Sequence, residues 1–167
     1  MEDLDDLFHL YSGKHMTDYM EPLFPYEEEK EYQKKYIKNI YGMYDYGMWL
    51  VIDKETGEVI GRAGVESRGG INGKNLSAFR DKRDDEDTVE LGYCIREDYQ
   101  NKGYATEVCS EIIRYSFKNL GKLRVYAQVD EDNVISKKLL KRLGFSYKGV
   151  ELFEIVNEKS LDFSRKY

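Results

Sequence analysis

The chain has 167 residues and a mass of 19.7 kDa, the size of one domain with a sizeable core and little room for two. Its 26 Lys and Arg against 32 Asp and Glu give a net charge of -6, the wrong sign for a nucleic-acid footprint and compatible with a cationic or amine-bearing partner. No apolar run approaches the ~20 residues that a membrane helix needs, and the acidic start MEDLDDLF is unlike a basic signal or transit peptide, so a cytoplasmic protein is expected.

Residues 3–12 read as a helix, with Leu4, Leu7, Phe8 and Tyr11 at helical spacing. Pro22 and Pro25, the only prolines, come next. Pro25 can open a second helix over 26–41, with Glu27, Glu28 and Glu29 at its positive end and Tyr32, Tyr36, Ile37, Ile40 and Tyr41 on its buried side. Met48–Asp53 and Val59–Val65 are β-rich and flank a short glycine-bearing turn, Lys54 to Glu58, so the pair reads as a hairpin. Residues 67–87 hold Gly69, Gly70, Gly73 and a charge run from Asp81 to Asp87, and read as a solvated loop or flap. Val89–Ile95 is predicted as a strand. A helix follows to Leu120, with Val108, Ile112, Ile113, Phe117 and Leu120 on one face and Gly121 as its stop. Leu123–Val129 alternates Leu123, Val125, Ala127 and Val129 as a strand. Asp132 or Asn133 then caps a helix carrying Ile135, Leu139, Leu140 and Leu143, stopped by Gly144. Phe145–Val150 is predicted as a strand, and a last β segment falls within 151–165. The order α-α-β-β-β-α-β-α-β-β makes a single α+β domain over 1–167 with mixed sheet pairing.

Cysteine and histidine chemistry offers little. Cys94 and Cys109 form no Cys-x-x-Cys pair, and His9 and His15 both lie near the first helix, with no His-Glu-x-x-His. Neither a metal site nor a Cys-His nucleophile is predicted, and the two thiols read as small apolar fillers.

The informative stretch is 89–106, VELGYCIREDYQNKGYAT, in which a strand runs through a polar turn into a long helix. Such a turn and the first helical turn leave backbone N–H groups pointing outward, and the helix dipole adds positive potential, so the segment reads as an anion cradle. Gly103 permits close approach of backbone to a pyrophosphate, Ala105 keeps the helix start uncrowded, and Lys102 and Arg96 can supply charge. An ordinary glycine at a strand-to-helix turn explains the same residues.

Gln100-x-x-Gly103-x-Ala105 resembles the acetyl-CoA signature of the GNAT N-acetyltransferase superfamily, Gln/Arg-x-x-Gly-x-Gly/Ala after the fourth strand. The family's next strand fits Leu123–Val129, and its following helix fits 133–143, opened by Asn133-Val134-Ile135-Ser136 and closed by Leu143-Gly144-Phe145. The likeness covers 48–150 well and the N-terminal helices loosely. The Asn-x-x-Ser and Gly-Phe details are most like the branch that includes ribosomal-protein N-terminal acetyltransferases. Two departures stand out. The family usually opens with a strand before its first helix, which is missing here, so the chain either lacks it or is a piece of a longer polypeptide. Several members also carry, seven residues after the motif Asn, a Tyr that is the acid toward the leaving thiolate, and here that position is Leu140.

The resemblance implies a mostly antiparallel central sheet flanked by helices, with strands 89–95 and 123–129 splayed around acyl-CoA. It implies acetyl transfer from acetyl-CoA, as co-substrate and without metal, to an amine acceptor. Main-chain groups of Tyr93, Cys94 and Ile95 would serve the pantetheine arm, and one of their N–H groups would polarise the thioester carbonyl. Arg96 and the segment Gln100, Asn101, Lys102, Gly103, Tyr104, Ala105 and Thr106 would hold the pyrophosphate. The Asn133 amide suits a pantetheine amide, or is a plain helix cap. Glu90 and Glu97 are candidate bases for the acceptor ammonium, or surface acids. Ser136 is the candidate donor toward the departing thiolate, or a first-turn helix serine, with Tyr126 and Tyr147 as weaker substitutes. Eight tyrosines within 11–46 (Tyr11, Tyr19, Tyr26, Tyr32, Tyr36, Tyr41, Tyr44 and Tyr46) offer an aromatic wall for an acceptor cation or peptide N-terminus, or pack a core edge or subunit contact. A non-catalytic CoA-binding module is the alternative reading, and another acyl donor such as succinyl-CoA stays open. A monomer or homodimer is expected, with no nucleic-acid or membrane partner.

Overall fold

The structure, a computed structural model, describes residues 3–13, 16, 18–67, 87–149 and 152–156. Four helices and six strands appear among them: α1 (Leu4–Tyr11), α2 (Tyr26–Tyr36), β1 (Met48–Ile52), β2 (Val59–Ser67), β3 (Thr88–Ile95), α3 (Tyr104–Lys118), β4 (Arg124–Gln128), α4 (Val134–Arg142), β5 (Ser146–Gly149) and β6 (Leu152–Val156). The strands form a mixed, mostly antiparallel sheet in the order β1-β2-β3-β4-β6-β5. This is the expected α+β element order. The predicted flap at 67–87 has its first residue in β2, and residues 68–86 lie outside the described residues. No helix among the described residues is long and apolar enough to cross a membrane.

The chain divides into two compact units, one drawn from Met1–Gly64 and Tyr93–Val108, the other from Val65–Gly92 and Cys109–Tyr167. In the first, α1 buries Leu4, Leu7 and Leu10, so the inward stripe runs through Leu10. Phe8 is half-buried at the side of that stripe, its ring 5.1 Å from Tyr26. Pro25 precedes α2, and Glu29 is buried, accepting hydrogen bonds from the Phe24 N–H at 3.1 Å and Gln33 Nε2 at 2.7 Å. Two donors fix the carboxylate that the sequence placed at the helix's positive end.

The expected single helix over 26–41 is not continuous. It passes into a π-helical turn, Ile37–Tyr41, and one further helical turn, Gly42–Tyr44. Ile37, expected on the buried face, opens the π-turn and is 48 % exposed. Tyr36 and Tyr41 meet at one backbone residue. The Tyr36 hydroxyl accepts from the Met48 N–H at 2.9 Å, and the Tyr41 hydroxyl donates to the Met48 carbonyl. These two tyrosines therefore pack and clamp the start of β1. The β1–β2 hairpin pairs Met48 with Gly64 and Ile52 with Val59, with an irregularity at Val51/Ile52.

In the second unit β3 runs parallel to β4 with Thr88, Val89 and Glu90 opposite Arg124, Val125 and Tyr126, while β4 pairs antiparallel with β6 along its whole length. Cys109, Ile112, Ile113 and Ser116 make the buried stripe of α3, the i, i+3, i+4, i+7 pattern of an amphipathic helix. Gly121 and Gly144 take positive φ just beyond α3 and α4, as helix stops do. Tyr126 is buried although the alternation of β4 put it on the outer face. Its phenol hydrogen-bonds Glu154, directly opposite on β6, and Lys148 pairs with the same carboxylate at 2.9 Å.

A side chain at Gly64 would overlap the Gly47 carbonyl, whereas one at Gly57, with φ +75, would meet nothing. Gly64→Ala should lower unfolding free energy in urea by about 1–3 kcal/mol, and Gly57→Asn, a residue that tolerates this conformation, should stay close to wild type.

Candidate active site

The turn between β3 and α3 is built by backbone conformation. Glu97–Tyr99 form a 3₁₀ turn, and the N–H groups of Tyr99 and Gln100 bond back to the carbonyls of Arg96 and Glu97. Asn101 and Gly103 then take left-handed φ of 59 and 95. The first intrahelical bond of α3 runs from the Glu107 N–H to the Gly103 carbonyl at 3.0 Å. The N–H groups of Tyr104, Ala105 and Thr106 precede it, so no carbonyl of the helix can reach them. Asn101, Lys102 and Gly103 are exposed, and a Cβ built on Gly103 would find nothing within 4 Å. Three donors that no helix carbonyl reaches, the positive end of a 15-residue helix and an open glycine together can take an anion on main chain. These features fit a diphosphate-bearing thioester.

Side chains fix this turn from beneath. Gln100, the first residue of the signature, donates Nε2 to the Ile95 carbonyl at 2.8 Å and so closes the turn on itself. The Arg96 guanidinium bonds Asp98 at 2.7 and 2.9 Å and Glu58 at 2.9 Å, which raises its pKa far above the usual value. Arg96, expected to supply charge to a ligand, has that charge met by two carboxylates. Lys102 keeps its ammonium 5.0 Å over the Tyr99 ring at the exposed rim. The Tyr99 hydroxyl donates to Glu58 at 2.9 Å, and the Tyr104 hydroxyl donates to Asp53 at 2.6 Å. Asp53 also accepts the N–H groups of Glu55 and Thr56.

The other expected residues stand as follows. Tyr93 and Cys94 are half-buried on β3 and Ile95 is buried, all beyond Glu90, the last residue paired with β4. Burial pushes the Cys94 thiol up and the Cys109 thiol to about 12, so both are protonated at neutral pH and neither is a nucleophile. Glu97 is exposed at the head of the 3₁₀ turn, on a cavity of about 880 Å³ lined also by Asp6, His9, Glu58 and Asp98. Glu90 is half-buried in the second unit, opposite Tyr126. Asn133 caps α4, its Oδ1 accepting from the Ser136 N–H at 3.1 Å, which leaves Nδ2 as its outward donor. Ser136 is half-buried one turn before Leu140, which is 0 % exposed. The position of the family's acid is thus closed into the core. Among the weaker substitutes, Tyr126 is engaged with Glu154 and Tyr147 is 58 % exposed.

Asp53 and Glu58 did not emerge from the sequence as site residues. An Asp ending a strand before a glycine-bearing turn is a legible turn signal, but its bond to Tyr104, 51 residues on, is not.

Residues 1–146 match the family model described as the acetyltransferase (GNAT) domain. The chain belongs to the GNAT acetyltransferase family. It is an N-acetyltransferase that uses acetyl-CoA. The chain is 29 % identical over 153 residues to the uncharacterized N-acetyltransferase p20 of Bacillus licheniformis, covering 90 % of this chain and 77 % of that one. To YnaD of Bacillus subtilis it is 36 % identical over 64 residues, spanning only 38 % of either chain. Two solved structures share the fold. The ribosomal-protein-S5-alanine acetyltransferase of Vibrio fischeri superposes with a TM-score of 0.69 at 18 % identity, over 94 % of this chain and 89 % of that one. A chimera of the spermidine N-acetyltransferase SpeG of Vibrio cholerae gives 0.72 at 19 % identity, over 96 % and 93 %. Neighbours of both kinds mean that the branch within the GNAT superfamily is not fixed by fold.

The Asp53–Tyr104 bond, followed by the Glu55 and Thr56 N–H groups, holds the Asp53 carboxyl below its usual range, while the same bond, followed by burial, pushes Tyr104 up to about 12. A lowered carboxyl pKa stabilises the fold above its unfolded value, and the gain is lost as pH falls through the folded value. A phenol raised from 10.0 stabilises fully below pH 10.0 and loses that gain as pH rises toward about 12. Urea unfolding across pH should show stability falling on both flanks, and Asp53→Asn should flatten both slopes.

Proposed function

We propose that Gln100 to Thr106 is the diphosphate cradle for acetyl-CoA, and that the acetyl group passes to a primary amine by direct attack in a ternary complex. The observation that carries this reading is Gly103, left-handed and exposed, with open space where a side chain would stand, immediately before three helix N–H groups that no helix carbonyl reaches. When bound, acetyl-CoA supplies the activated thioester. Lys102 and Asn101 flank the cradle, whereas Arg96 shapes the turn. Main-chain groups of Tyr93, Cys94 and Ile95 serve the pantetheine arm, and an N–H of Cys94 or Ile95 meets the thioester oxygen, where one preorganised donor contributes roughly 3 kcal/mol. The Asn133 Nδ2 is an added donor for the arm.

The acceptor must be an uncharged amine when it attacks. Glu97 has no hydrogen bond or ion pair to its carboxylate among the described residues, and its cavity holds more carboxylates than cations. Both facts favour an ammonium-bearing acceptor and Glu97 as the group that takes its proton. Glu90 is the second candidate. Ser136 takes the place of the missing acid near the departing sulfur, and orientation in the ternary complex, worth ~7–11 kcal/mol, carries much of the rate. The motif details favour a peptide or protein N-terminus, and the SpeG likeness adds small polyamines as the second acceptor class.

Thiol release from acetyl-CoA, measured against a panel of N-terminal peptides and polyamines, should give amine-dependent turnover with one class. Gly103→Asp should abolish CoA binding by calorimetry, and unchanged affinity would mean the cradle lies elsewhere. Glu97→Gln should lower kcat by roughly 10²–10⁴-fold with little change in the KM for acetyl-CoA.

A further inference from the structure

We propose that the β1–β2 turn is the positioning element of the donor loop, with Asp53 and Glu58 holding the two ends of the segment Arg96–Tyr104 so that its N–H groups are aimed before the donor arrives. This rests on the cradle reading above. Asp53 is itself rigid. One carboxylate oxygen accepts the N–H groups of Glu55 and Thr56 at 2.8 and 3.1 Å, its N–H donates to the Glu58 carbonyl at 2.9 Å, and its carbonyl accepts from the Gly57 N–H at 2.8 Å. It is 6 % exposed, and its second oxygen takes the Tyr104 hydroxyl at 2.6 Å. Tyr104 is the first residue of α3, so a fixed phenol fixes the first of the three outward N–H groups. At the other end Glu58 takes the Tyr99 hydroxyl and one guanidinium nitrogen of Arg96, both at 2.9 Å, and the Arg96 N–H bonds the Ile60 carbonyl at 2.8 Å. The exposed residues Gln100 to Gly103 are a short bridge between two ends gripped by one hairpin.

Two carboxylates beneath an anion site would be unfavourable if bare. Here each is hydrogen-bonded before a ligand comes, Glu58 by the Tyr99 hydroxyl and by Arg96, which it shares with Asp98, and Asp53 by two backbone donors and a phenol. Their function is therefore mechanical. They reduce the ordering that the loop would otherwise undergo on binding a diphosphate. Neither touches the donor, so they are positioning residues.

The test compares acetyl-CoA with acetyl-pantetheine, a thioester that lacks the diphosphate, in Asp53→Asn, Glu58→Gln, Tyr104→Phe and the double variant Asp53→Asn/Tyr104→Phe. Asp53→Asn and Glu58→Gln should each raise the KM for acetyl-CoA about five- to tenfold, and Asp53→Asn should leave kcat within twofold and kcat/KM for acetyl-pantetheine unchanged. The double variant should be no worse than the poorer single one, because both remove one bond. Should Asp53→Asn fold poorly, Tyr104→Phe reads the same bond from its half-buried partner. Equal losses with both donors would reveal a merely structural role and overturn the proposal, as would an unaltered KM for acetyl-CoA. Failure of the cradle reading is seen separately, in Gly103→Asp that still binds CoA and in a wild-type enzyme that uses both donors equally well.

Discussion

The first N–H groups of a helix have no carbonyl behind them, and something outside the helix must meet them. In most helices a serine or aspartate side chain does so at the N-cap. The third helix of this protein has a glycine there instead, in a left-handed conformation and with open space beside it, so the donors of Tyr104, Ala105 and Thr106 are left for an anion. The remaining features of the first unit follow from keeping that glycine open and those donors aimed.

Local rigidity is built from backbone contacts that leave no room for side chains. A Cβ at Gly61 would overlap the Cys94 carbonyl and crowd Ile95, so β2 and the end of β3 approach as closely as two chains can. Tyr36 and Tyr41 hold both polar groups of Met48, at the start of the strand that leads into the Asp53 turn. The carboxylates around the turn are held by donors, Glu58 and Asp98 by a shared Arg96 and Asp53 by two backbone N–H groups and a phenol, in a chain of net charge -6. Field and net charge are different quantities, and the local dipole and donors decide what binds.

Much of this was legible in the sequence where the signal was local. The glycine and alanine spacing, the strand before it and the helix after it follow from short-range rules, and a cap at Asp132 or Asn133 is legible before the helical pattern, with Asn133 the one that caps. Three features were not legible, each for a physical reason. The π-turn at Ile37–Tyr41 is a matter of one inserted residue, which no hydrophobic period announces, and Ile37, expected buried, is exposed. Arg96 is met by Asp98, two residues on, and by Glu58, 38 residues away, and the distant partner has no local signal, so a conspicuous cation beside a motif reads as a ligand contact. The Asp53–Tyr104 bond is equally distant in sequence. Long-range polar pairs are where a reading from composition and period ends, and here they decide which residues aim the site.

The central claim is that backbone N–H groups from Lys102 to Thr106 take a diphosphate. Amide chemical-shift titration of the isotope-labelled enzyme with CoA and, separately, with pantetheine tests it most directly. The account predicts that the amides of Lys102, Gly103, Tyr104, Ala105 and Thr106 shift strongly with CoA and scarcely with pantetheine. Large shifts confined to other segments, or the same shifts with both ligands, would contradict it.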